Sequence, residues 1–184
     1  MRLSYAIFFL LLFVIYIRPN AYGKVKIQTN LSYKLVFKET STDTINTKNI
    51  NPKEIISYAK TLLGTPYKYG SINPKAGFDC SGFITYVFNH FNIKVPRSSK
   101  DFTHIPREIN IAEAEPGDLI LFTGTNSNIK TVGHMGIILS NDNECRFIHC
   151  SSGKVRGVII TPLNKYYLSR FLKIIRIFKQ NDLP

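Results

Sequence analysis

Apolar positions recur at helical spacing in two stretches of the chain, and then give way to short segments with strand character. Ile55, Ile56, Ala59, Leu62 and Leu63 follow Asn51, a residue suited to capping, and Pro52, suited to a first helical position. The run stops at Gly64. This predicts a helix of about 12 residues. A second stripe, Phe83, Ile84, Val87, Phe88 and Phe91, begins at Asp79 or Cys80 and ends before Pro96, so Cys80 falls in a first helical turn. Between the two, Thr65 to Phe78 reads as a tyrosine-bearing loop. Beyond Pro116-Gly117 come Leu119 to Phe122, Met135 to Leu139, Arg146 to Cys150, Val155 to Thr161 and Lys173 to Phe178, separated by Gly, Asn, Asp and Pro. Two helices followed by about five strands predict an α+β domain with helices against an antiparallel sheet.

The N-terminus follows a different pattern. Met1-Arg2 precedes an unbroken apolar run of 12 residues, Ala6 to Ile17, and Ala21-Tyr22-Gly23 offers small residues where a signal peptidase cuts. The expected organisation is a signal peptide over 1–23, a mobile leader over 24–51, rich in Thr, Asn and Ser at its end, and a folded domain over 52–184. An uncleaved membrane anchor is the alternative, for which the run is short against the roughly 20 residues that span a bilayer. No stable membrane span is expected after cleavage.

Composition narrows the class. With 184 residues, 44% of them apolar, the chain can fill one ordinary core, which argues against a disordered binding protein. The formal charge of +12 falls to +10 once Arg2 and Arg18 leave with the signal. Such a balance favours polyanions. For an exported chain that means acidic wall polymers or anionic membrane surfaces, with nucleic acid a poor candidate. The lysines are scattered, as on an ordinary solvated surface. Of the three cysteines, at least one cannot pair internally. Cys145 and Cys150 are five apart on one predicted strand or its edge and should face opposite sides, which reads as packing. A Cys80 to Cys150 disulfide stays open as an alternative.

The chemistry centres on Cys80. A cysteine attacks as the thiolate, and the unpaired backbone N–H groups of a helix start favour that anion. The Cys80 N–H could also stabilise an oxyanion, and Gly82 is expected to keep the corner clear for substrate. His134 opens a strand and His149 closes the next. A hairpin turn at Asn141-Asp142 would set them directly opposite each other on one face, with that face against the start of the Cys80 helix. Cys80 is then the nucleophile, His134 its base and His149 the group that orients the base. The spacing of Cys80, His134 and His149 matches no compact metal site, so no metal is expected. His90 and His104 read as surface residues.

In order along the chain stand Leu63-Gly64-Thr65-Pro66-Tyr67, Phe78-Asp79-Cys80-Ser81-Gly82-Phe83, Val95-Pro96-Arg97-Ser98, Pro116-Gly117-Asp118-Leu119, Gly133-His134-Met135-Gly136-Ile137 and Phe147-Ile148-His149. As an ordered set these resemble the NlpC/P60 cysteine peptidases of bacterial cell walls, in particular the short single-domain murein endopeptidases of Gram-negative bacteria. The resemblance implies a papain-like fold with N-terminal helices packed on a five- to six-stranded antiparallel sheet. It implies Cys80, His134 and His149 as catalytic residues, and Tyr67, Asp79 and Ser81 as substrate-binding positions, with Tyr67 lining the cleft and the other two near a substrate amine. Arg97 is given a structural role. No cofactor is implied. The implied partner is peptidoglycan, cut between D-glutamate and the diamino acid or at a D,D cross-link, by a monomer in the periplasm. Gly70-Ser71, where the family usually has two glycines, and Cys150, where it has a small residue, depart from the pattern. A non-catalytic wall-binding module, or a papain-like amidase or acyltransferase on another substrate, are the alternatives.

Overall fold

A computed structural model describes residues 45–182. The expected signal peptide and most of the expected leader lie outside the described residues. The last residues of that leader pack inward: Thr47 is buried, and Ile45 and Ile50 rest against the main core.

The first helix, α1 (Pro52–Thr61), starts as its sequence dictates. Asn51 accepts a hydrogen bond from the Lys53 N–H, Pro52 occupies the first turn, and Ile55, Ile56 and Ala59 are buried. The following loop contains a small hairpin of β1 (Ile72–Asn73) and β2 (Gly77–Phe78). The second helix, α2 (Cys80–His90), is capped by Asp79 and buries Phe83, Ile84, Val87 and Phe88. The remaining strands are β3 (Glu108–Ile109), β4 (Leu119–Thr123), β5 (Val132–Ser140), β6 (Arg146–Ser151), β7 (Gly157–Pro162) and β8 (Phe171–Ile175). A one-turn helix, α3 (Lys165–Leu168), joins β7 to β8.

The six strands form one antiparallel sheet in the order β3-β8-β4-β5-β6-β7, so β8 inserts beside β4. Strand alternation gives the sheet two apolar faces. Leu119, Leu121, Met135, Ile137, Ile148, Cys150 and Ile175 join the core built with α1 and α2. Ile120, Phe122, Ile138, Phe147 and Ile174 join a second cluster with Tyr167 and Cys145. Cys145 and Cys150 therefore do lie on opposite faces, and both are free thiols, as is Cys80.

The hairpin register differs from the expected one. Ile137 pairs with Ile148 and Ile138 with Phe147, so His134 and His149 are not directly opposite. The slip amounts to two residues, which restores each side chain to its original face. The loop is longer than a two-residue turn, and the pairing shifts between Ile138 and Ser140.

Candidate active site

Cys80 begins α2, and Asp79 fixes that helix start. One carboxylate oxygen of Asp79 accepts from the Gly82 N–H at 2.5 Å and Arg97 Nη1 at 3.0 Å. The other accepts from the Gly70 N–H and from Arg97 Nη2, both at 2.8 Å. Arg97 also donates to Ser81 Oγ at 3.0 Å. Asp79 and Ser81, both buried, are thus tied to Arg97 and to backbone, and any substrate amine would compete with these donors. Arg97 has the structural position expected of it. Gly82 has a different purpose from the one expected: a Cβ there would sit 2.1 Å from the Ser71 carbonyl oxygen, so glycine permits the helix to dock on the loop before it.

The sulfur of Cys80 lies 3.9 Å from the Gly133 carbonyl oxygen, beside the start of β5. Burial, with the charge of Asp79, pushes the thiol up to about 11, against the lowering by the backbone N–H groups of Ser81, Cys80 and Met135. The helix start therefore does not yield a resting thiolate, contrary to the sequence expectation, because desolvation outweighs the backbone dipoles. Tyr67 is half-buried nearby, and burial raises its phenol, with Cys80 and Asp79 adding to the effect. Arg156 lies over its ring at 5.4 Å.

His134 Nε2 and His149 Nδ1 are 2.9 Å apart, and His149 Nε2 is 3.0 Å from Thr161 Oγ1 and 3.4 Å from the Tyr167 hydroxyl. Gly136 makes room for this, since a Cβ there would lie 2.9 Å from the Ile148 carbonyl oxygen and 3.1 Å from His149 Cβ. One tautomer set runs through the chain of contacts: His134 Nε2–H donates to His149 Nδ1, and His149 Nε2–H donates to Thr161. His134 Nδ1 is then the unprotonated nitrogen and has no hydrogen-bond partner among the described residues. The two rings sit on the face of Phe122, Phe147 and Tyr167, with His134 6.0 Å from the Phe122 ring and His149 4.8 Å from that of Phe147. That is the face turned away from α2, which corrects the expected packing. The pairing of Phe122 with His134 dictates it, because the alternate residue Leu121 faces the helices. Cys80 meets the strand at the backbone flanking His134, and no hydrogen bond joins its sulfur to either ring.

Burial, then the charge of Arg170, pulls His134 down to about 3. His149 is held well below its ordinary value by burial, His134 and Arg170. Both imidazoles are neutral at neutral pH. Thr161, Tyr167 and Arg170 escaped the sequence reading. Only Thr161 left a trace, since its parity with Phe147 and His149 becomes visible once β6 and β7 are in register.

The comparisons decide the kinship. The sequence profile described as NlpC/P60 family matches residues 64–176. The chain belongs to the NlpC/P60 family. Its α+β fold is that of solved NlpC/P60 proteins: one from Bacillus cereus superposes with a TM-score of 0.61 at 26% identity, over 70% of this chain and 40% of that one. The probable endopeptidase NlpC of Escherichia coli K12 is 38% identical over 117 residues, 62% of this chain and 70% of the relative. The murein DD-endopeptidase MepS/murein LD-carboxypeptidase of the same strain is 30% identical over 137 residues, 73% of this chain and 68% of the relative. The gamma-DL-glutamyl hydrolase of Bacillus subtilis is 36% identical over 125 residues, 67% of this chain. This NlpC/P60 chain spans 29% of the length of that hydrolase and 58% of a probable NlpC homolog from Haemophilus influenzae. Among its described residues, no helix is long and apolar enough to cross a membrane.

Proposed function

We propose that this NlpC/P60 protein is a cysteine endopeptidase that hydrolyses amide bonds in peptidoglycan stem peptides. The observation that carries the reading is the linear arrangement of His134, His149 and Thr161 beside a helix-start thiol. A neutral imidazole with Nδ1 open and Nε2 anchored is a general base waiting for a proton. Cys80 turns from the Gly133 carbonyl towards Nδ1, and its proton passes to His134 as the sulfur attacks the carbonyl carbon. The imidazolium is stabilised through Nε2–H by His149, and the oxyanion by the Cys80 N–H. His134 then gives its proton to the departing amine, and water releases the acyl group from sulfur. Tyr67 lines the cleft beside the thiol, while Asp79 and Ser81 hold the helix start and flank the substrate.

Relatives named for γ-D,L-glutamyl and for D,D bonds support both the D-glutamate–diamino acid bond and the D,D cross-link as targets. Action on such a polymer implies an extracytoplasmic protein. For this chain we take the periplasm as its place, residues 1–23 as a cleaved signal, 24–51 as a leader and the monomer as the working unit. The test is mass spectrometry of defined cross-linked and uncross-linked muropeptides incubated with residues 24–184, wild type beside Cys80→Ala. Fragments from wild type only are expected, and their masses name the bond. Fragments from the alanine variant would remove Cys80 from the nucleophile role.

A further inference from the structure

A cavity of about 380 Å³ is lined by His134, Lys154, Thr161, Tyr166, Tyr167 and Arg170 among others, and not by Cys80. No aspartate or glutamate among the described residues lines it. Arg170 is 7% exposed and donates only to neutral acceptors: Gly124 O at 2.9 Å, Thr123 O at 2.8 Å and the Tyr166 hydroxyl at 2.6 Å. No carboxylate among the described residues pairs with it. A guanidinium has five N–H donors, so these contacts leave two unspent. A buried cation held by dipoles alone favours an anion beside it. Lys154, exposed at the rim, adds a second positive charge of the same sign.

Position tells which part of a substrate enters. His134 hands its proton to the departing amine, so a cavity that shares His134 but not Cys80 receives the leaving-group side. We propose that this cavity is a subsite for a free carboxylate on the leaving-group side of the scissile amide, an inference that rests on the peptidase reading above. A leaving diamino acid whose carboxyl is free fits it, and one whose carboxyl is amidated fits it poorly.

The test compares two stem peptides that differ only in a carboxylate or a carboxamide on the leaving diamino acid. The kcat/KM ratio is expected to favour the carboxylate by about tenfold, the size of one charge-assisted hydrogen bond, and to fall towards one in Lys154→Gln and Arg170→Gln. Thermal unfolding confirms that each variant folds, and Lys154→Gln, at an exposed position, keeps the test informative if Arg170→Gln does not. A ratio near one in wild type, or one unmoved by the variants that fold, overturns the subsite. If neither peptide is cut, meso-diaminopimelate and its diamide are titrated into the Cys80→Ala protein by NMR. Tighter binding of the dicarboxylate, weakened by adding Lys154→Gln, keeps the subsite and rejects the peptidase reading. Equal binding rejects the subsite itself.

Discussion

On the peptidase reading His134 is the base, and its burial makes the expected acid side of the pH profile unusual. Only the unprotonated ring can take the Cys80 proton. Because burial lowers His134 to about 3, that form persists well below pH 6.5. We predict that kcat/KM between pH 5.5 and 8 shows no inflection near 6.5, and a clear fall there would mean that His134 is an ordinary imidazole. Thr161→Val removes the last acceptor of the chain of contacts and is expected to lower kcat about fivefold, the effect of one net hydrogen bond. Steady-state kinetics at fixed pH would check it. His149→Ala should lower turnover less than His134→Ala, since an orienting group contributes less than the base it orients. Equal losses would contradict that division. That Cys80 would come beside the His134 segment, and His134 beside His149, was legible in the sequence because each stands in a short motif. The protonation state of Cys80 was not, because the desolvation that sets it comes from tertiary packing around the helix start.

Among the elements, α2 shows how little of its anchoring is helical propensity. Its N-terminus is held by Asp79, which accepts from Gly82, Gly70 and Arg97 at once. Asp79→Ala removes a cap and an ion pair together, and is expected to lower unfolding stability by about 2 kcal/mol in urea titration. Arg97→Ala should cost less, because the backbone donors of Gly70 and Gly82 remain. A larger loss in Arg97→Ala would reverse that ranking. Helices α1 and α2 and the five longer strands could be read from apolar spacing, since tertiary contacts merely confirmed what period and turn residues dictated; the one-turn α3 was not read. The two-residue β3 and the β1–β2 hairpin could not, being too short to carry a period. The β5–β6 register failed for a related reason: a bulge and a longer turn leave the alternation of apolar residues unchanged, so the sequence fixes the face without fixing the partner.

For the whole molecule, the buried neutral histidines tie stability to pH. From about pH 6.5 down to about 3 the unfolded chain binds protons that folded His134 refuses, and His149 acts in the same direction. Stability therefore falls as pH falls through that window. The thermal midpoint is expected to drop between pH 7 and pH 5, and to drop less in His149→Gln. An unchanged midpoint over that interval would show that these rings stay charged or exposed in the fold. Strand order has a consequence of another kind. Cys80 is made early, the histidine pair later, and β8, the strand that closes the sheet beside β4, among the last described residues. Until residues 171–175 insert, β4 is an open edge and the Tyr167–Arg170 support of His134 and His149 is missing. The order of synthesis thus delivers the thiol first and the support of the histidine pair last.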